Sequence, residues 1–142
     1  MLRADLNPQR LTLGQTLPDS SQTYSEADLV AYGAATWDWH RLHYDLAYAK
    51  SKQLPGPLVD GQMFGAVFAR EAMNWAGPRA FIQKMGLKMK SMAFAGDHMV
   101  AKGVISAIHE THGVYVIELQ QQLLCGERLV AQASTSIRLE AP

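Results

Sequence analysis

The chain is 142 residues long, 48% hydrophobic, and balances 13 Lys plus Arg against 13 Asp plus Glu. That length suits one compact core and that composition excludes disorder, while the absence of net charge removes the field that draws proteins to nucleic acid or anionic membranes. No apolar run approaches the ~20 residues of a bilayer span, and the single cysteine, Cys125, excludes an internal disulfide framework and a multi-thiolate zinc site. The segment Met1-Leu2-Arg3-Ala4-Asp5-Leu6-Asn7 lacks the apolar stretch of a signal peptide. The expectation is one domain over 1–142, cytoplasmic, with no nucleic-acid or membrane partner.

Residues 1–24 are polar, with two short apolar stretches, Leu11-Thr12-Leu13 and Gln15-Thr16-Leu17. Either suits a short edge strand, closed by Pro18-Asp19-Ser20. Ser25, with Asp28 three residues on, reads as the N-cap and capping-box partner of a helix that runs through Leu29, Val30 and Tyr32 to about Ala35. The segment Thr36-Trp37-Asp38-Trp39-His40-Arg41-Leu42-His43-Tyr44-Asp45 follows. A short helix over roughly 45–52, capped by Asp45, carries Leu46 and Ala49 at helical spacing and stops at Leu54-Pro55-Gly56-Pro57. Leu58-Val59-Asp60-Gly61 then leads into the strongest helix, 62–75. Met63, Val67 and Phe68 form one stripe, extended by Phe64 and Met73. Gly65, Ala66, Ala69 and Ala72 present small side chains that let another layer close on it. Gly77-Pro78 ends it.

Beyond residue 79 the hydrophobic period changes to two. Residues 80–82 and 85–89 read as short strands. Residues 98–109 carry Met99, Ala101, Gly103 and Ile105 on one face, and 114–124 carry Tyr115, Ile117, Leu119, Gln121 and Leu123. Residues 129–139 alternate Ala131, Ala133, Thr135, Ile137 and Leu139 against Gln132, Ser134, Ser136 and Arg138. Glu110-Thr111-His112-Gly113 and Cys125-Gly126-Glu127 mark the turns, which makes Cys125 a structural strand end. Helices first and an antiparallel meander after predict an α+β domain, a sheet wrapped around one long helix.

Asp38 precedes His43 by five residues, with an indole on each side of the acid. Such a pair can deprotonate a water if both groups face one cavity. The competing reading makes Asp38 a turn cap and His43 a satisfied loop residue. Trp37 and Trp39 are expected to pack rather than stack on a substrate. Asp60 either caps the long helix or touches a polar group of the ligand. His98, His109 and His112 fall near strand ends and read as surface residues. No two histidines share a helical face, so no metal site is expected.

Asp38, Leu42, His43, Asp45 and Ala49, followed by Gly61 at the opening of the long helix, resemble the motif of the MaoC-like hydratases over roughly residues 24–139. The resemblance implies the hot-dog fold, a curled antiparallel sheet around a central helix. It further implies reversible hydration of a trans-2-enoyl thioester to a (3R)-3-hydroxyacyl thioester, with Asp38 and His43 activating water. The Gly61 backbone N–H would be the oxyanion donor, and His40 and Asp60 would be substrate contacts. No cofactor is implied beyond coenzyme A as part of the substrate; Lys84, Lys88, Lys90, Lys102, Arg128 and Arg138 are candidates for its phosphates. His40-Arg41 stand where the family has Asn-Pro, Asp60 where it commonly has His, and Gln62 interrupts the helix-opening segment. Asn74-Trp75-Ala76-Gly77-Pro78 with Met85-Gly86-Leu87 is similar to single-domain MaoC-type subunits of steroid side-chain degradation. The resemblance implies a homodimer or higher homo-oligomer, or a heteromer with a second MaoC-type chain. Two alternatives stay open: a non-catalytic or partner-dependent subunit, and a hot-dog thioesterase with Glu71 as its acid.

Overall fold

The computed structural model describes residues 6–140; the signal-segment reading rests mainly on residues 1–5, which lie outside them. Five antiparallel strands form one sheet in the order β1-β3-β4-β5-β2. They are β1 (Ser20–Thr23), β2 (Phe81–Met89), β3 (His98–Thr111), β4 (Val114–Cys125) and β5 (Arg128–Glu140). Three helices precede β2: α1 (Glu26–Thr36), α2 (Leu46–Ser51) and α3 (Gly61–Ala76).

The period-two pattern becomes the inner face of the sheet. Met99, Ala101 and Ile105, Ile117, Leu119 and Leu123, and Ala131, Ala133, Ile137 and Leu139 are each at most 3% exposed. The stripe of α3 fills that face. Phe64, Val67 and Phe68 pack in a cluster with Met99, Leu123 and Ala131, and Ala72 and Trp75 in a second one with Ile105, Ile117 and Ile137. Full burial of each such large side chain stabilises the fold by about 1.5–3 kcal/mol, so α3 is held by the sheet rather than by its own propensity. The open sheet wrapped on a long helix is the hot-dog arrangement expected from the sequence.

Most predicted elements appear where the pattern placed them. Ser25 caps α1 in a full capping box with Asp28, and Asp45 caps α2. The β3–β4 hairpin turns on His112 (φ 51°) and Gly113 (φ 80°), the two positive φ values that match the twist of paired strands. Two expectations are corrected. The edge strand is Ser20–Thr23, not 11–13 or 15–17; Thr16 makes only an isolated bridge to Val104. Pairing there is decided by the open edge of β3, which no local pattern encodes. The stretches 80–82 and 85–89 are one strand, β2, continuous through an irregularity between Ile82 and Lys84. Among the described residues no helix is long and apolar enough to cross a membrane.

Candidate active site

Asp38 reaches its place through a tight reversal after α1. Trp37 adopts a left-handed conformation (φ 61°) and Asp38 N–H donates to the Gly33 carbonyl at 3.0 Å. The approach is so close that a Cβ on Gly33 would lie 2.7 Å from the Asp38 carbonyl oxygen. The Asp38 side chain then accepts the His40 N–H at 3.1 Å. Trp37 is 80% and Trp39 44% exposed, contrary to the packing role expected of them. They touch edge to face at 5.9 Å, and Trp39 meets Tyr44 at 6.3 Å, so the turn spends its indoles on an outward aromatic ladder.

His43 closes a one-turn 3₁₀ helix, Arg41–His43, capped by His40. Its Nδ1 lies 2.7 Å from the Leu58 carbonyl oxygen. A carbonyl only accepts, so Nδ1 carries the proton and Nε2 is the nitrogen left for chemistry. Leu58 is itself fixed by donating its N–H to Leu42 and bridging to Phe94.

Asp60 caps α3. One carboxylate oxygen accepts the Gln62 N–H at 2.9 Å, and its carbonyl accepts the Met63 N–H at 3.0 Å. Gly61 N–H is then the first-turn donor without a partner among the described residues, at the positive end of the helix dipole. One donor atom each of Asp38, His43 and Asp60 lie within 4.8 Å of one another. Their number and spacing would also allow them to hold a divalent cation.

Of the three, His43 lines a cleft of about 290 Å³, while Asp38 and Asp60 stand behind it within reach of the imidazole. His43, Leu58, Val59, Gly61 and Phe64 form one wall and Met89, Lys90, Ser91 and Met92 the other. The second wall was not foreseen; beyond Met89, which ends β2, its residues follow the strand without periodicity. Arg128 braces it by donating to Ser91 Oγ at 3.2 Å, to the Met92 carbonyl and to Asp97 at 3.2 Å. Of the basic residues considered for phosphates, only Lys90 lines this cleft among the described residues. Arg128 is engaged as above, Lys102 pairs with Asp19 at 3.5 Å and Arg138 with Glu140 at 2.8 Å.

His40 and Arg41, where the chain departs from the family motif, order the loop. His40 Nδ1 accepts the Leu42 N–H at 3.3 Å, and its ring meets that of His43 at 5.9 Å. Arg41 pairs with Asp45 at 2.7 Å and covers the Tyr48 ring at 4.4 Å. The Asp45 carboxyl is held below the usual carboxylate range, first by the Tyr48 N–H it accepts and then by Arg41. Glu71, the acid of the thioesterase alternative, is ten residues along α3 from Gly61, about 15 Å. It is 3% exposed and accepts from Gln121 Nε2 at 2.7 Å; its other oxygen has no partner. Burial pushes its carboxyl above the usual range. It does not line the cleft.

The family model described as MaoC like domain matches residues 10–121. The mitochondrial 3-hydroxyacyl-[acyl-carrier-protein] dehydratase of Arabidopsis thaliana is 26% identical over 108 residues, which span 76% of this chain and 64% of that one, under two thirds of the relative's length. The 3-oxo-4,17-pregnadiene-20-carboxyl-CoA hydratase beta subunit of Mycobacterium tuberculosis is 23% identical over 126 residues, 89% of this chain and 96% of the relative. The (R)-specific enoyl-CoA hydratase of Aeromonas caviae is 26% identical over 106 residues, 74% of this chain and 78% of the relative. The solved structure of the A. caviae (R)-hydratase superposes with a TM-score of 0.79 over 94% of this chain and 99% of that one, at 22% identity, a likeness of fold. With a turn-held acid, a carbonyl-oriented imidazole and an open helix start assembled on this fold, the chain belongs to the MaoC-like hydratase and dehydratase family.

Proposed function

We propose that the protein adds water reversibly to a trans-2-enoyl thioester, an acyl-CoA, giving the (3R)-3-hydroxyacyl thioester. The observation that carries this reading is the convergence of Asp38 and His43 beside the free N–H of Gly61. Asp38 takes a proton from water while the His43 imidazole, through Nε2, holds that water in place. The water oxygen bonds to the β-carbon, and the double-bond electrons move onto the thioester as an enolate. Gly61 N–H, aided by the α3 dipole, stabilises the enolate oxygen. The proton taken from water returns to the α-carbon on the same face, so the balance is one water added. Asp60 and His40 border the reacting groups, and Lys90 is the cation placed to meet a phosphate of coenzyme A. The reaction needs no cofactor besides the coenzyme A of its substrate, and a reducing cytoplasm suits a chain with one cysteine.

Replacing Asp38 by Asn or His43 by Ala is expected to lower kcat for enoyl-CoA hydration by about 10²–10⁴-fold, the usual worth of a positioned acid or base. The far-ultraviolet spectrum should stay that of the wild type. Wild-type turnover in both variants overturns the assignment. Because the trio could also hold a cation, activity is to be measured after exhaustive chelation; full retention is expected, and loss restored by a divalent metal would contradict proton-only chemistry.

A second reading, a subunit active only beside another MaoC-type chain, is favoured by the beta-subunit relative. Among the described residues both sheet edges, the outer sides of β1 and β2, have no further strand beside them, which suits a homodimer or such a heteromer. Turnover only on adding a second MaoC-type chain would select it. The thioesterase reading is disfavoured by the burial of Glu71 away from the cleft.

A further inference from the structure

Gly61 leaves a notch at the start of α3, and the notch is filled. The Met89 thioether seats against the space a Gly61 side chain would take: a Cβ there would contact Met89 Sδ, with Cε at 3.3 Å and Cγ at 3.4 Å. Met89 therefore lies against Gly61 where both border the cleft, beside the start of α3. It is the last residue of β2, and the two following N–H groups, of Lys90 and Ser91, both donate to the Val130 carbonyl as the chain leaves the sheet. The backbone around Met89 is thus fixed, but its side chain is 64% exposed. An unbranched thioether with three rotatable bonds can swing from such a position at small cost.

We propose that Met89 is a specificity-determining residue, a thioether stopper in the Gly61 notch that an acyl thioester must displace as it docks at the helix start. The inference rests on reading the cleft as the thioester site. A carbonyl oxygen reaches Gly61 N–H only after Met89 has moved, and the displaced side chain then lies along the acyl group. The space it vacates, between Phe64 and Met92, sets how much acyl chain fits.

The test uses saturated esters, butyryl-CoA and octanoyl-CoA, which the hydration reaction does not consume. With methyl-labelled methionine, seven methyl signals are expected, and the Met89 signal is assigned by its loss in Met89→Leu. Saturating butyryl-CoA should shift the Met89 signal. Met89→Ala should raise the affinity for octanoyl-CoA relative to butyryl-CoA about tenfold, the worth of space for two methylenes. Met89→Ile, stiff at χ1, should weaken both. The exposure of Met89 makes loss of folding in these variants unexpected. Binding with an unmoved Met89 signal, or an unchanged affinity ratio in Met89→Ala, overturns the inference while leaving hydration untouched. Binding with a shifted signal but no wild-type hydration of any enoyl-CoA supports the stopper and overturns the hydratase reading instead. Failure of both esters to bind overturns both.

Discussion

His43 takes its orientation from the Leu58 carbonyl and Asp38 from a carbonyl of α1, so backbone rather than other side chains positions the proposed pair. Gly33 carries that design at the level of one atom. A methyl group there meets a main-chain oxygen, the Asp38 carbonyl, which cannot rotate away. Gly33→Ala is expected to destabilise the protein by about 1–3 kcal/mol, as overpacking does, and to cut hydration along with it by displacing Asp38. Thermal unfolding and kcat measured on the same sample check this; an unchanged kcat would show that the reversal does not position the acid. The sequence exposed the Asp38–His43 pair because its spacing is local. The roles of Gly33 and Met89 stayed hidden because each is defined by contacts with atoms remote in sequence.

At the scale of elements, α3 joins the core to the site through its two ends and its middle. Its cap is a single carboxylate, so Asp60→Ala should cost about 1 kcal/mol while Asp60→Asn, which still offers an oxygen to Gln62 N–H, should cost little. Chemical denaturation of the two variants separates them, and equal losses would contradict the cap. Midway along α3, Glu71 is buried among Gln121, Phe68 and the sheet. Its folded value is raised, so the unfolded chain ionises first as the pH climbs. Its contribution is fully present below the ordinary carboxylate value and is lost as pH rises through the folded one. Glu71→Gln should therefore gain melting temperature relative to the wild type as the pH rises above the ordinary carboxylate value. A constant difference would mean the carboxyl is not shifted. The stripe that made α3 legible, Met63 to Phe68, is the same one that meets the sheet. The buried polar triad of Glu71, Gln121 and Thr135 was not, since Gln121 sits in phase with apolar neighbours and only the folded register shows its partners.

The described residues form an open five-stranded sheet packed on one helix, with Asp38, His43 and Asp60 gathered at the N-terminal end of that helix. Its long strands were readable because the buried face of β3, β4 and β5 keeps a period of two over most of its length, despite irregularities at Ile105/Ala107 and Leu123/Leu124. β1 was misplaced because four polar residues gain strand structure only from the edge they join. The loop wall at 90–92 was likewise invisible, being ordered by Arg128 from β5. These long-range constraints bring the Asp38 carboxylate beside His43 and Asp60, and set the oriented imidazole and the Gly61 backbone on one cleft. The most direct test is mass spectrometry of trans-2-butenoyl-CoA and longer trans-2-enoyl-CoA esters incubated with the purified protein in ¹⁸O-labelled water. The account predicts an intact thioester that has gained one labelled water as a (3R)-hydroxyl, with label uptake abolished in Asp38→Asn. Release of free coenzyme A without hydration, or label uptake that survives that substitution, would contradict it.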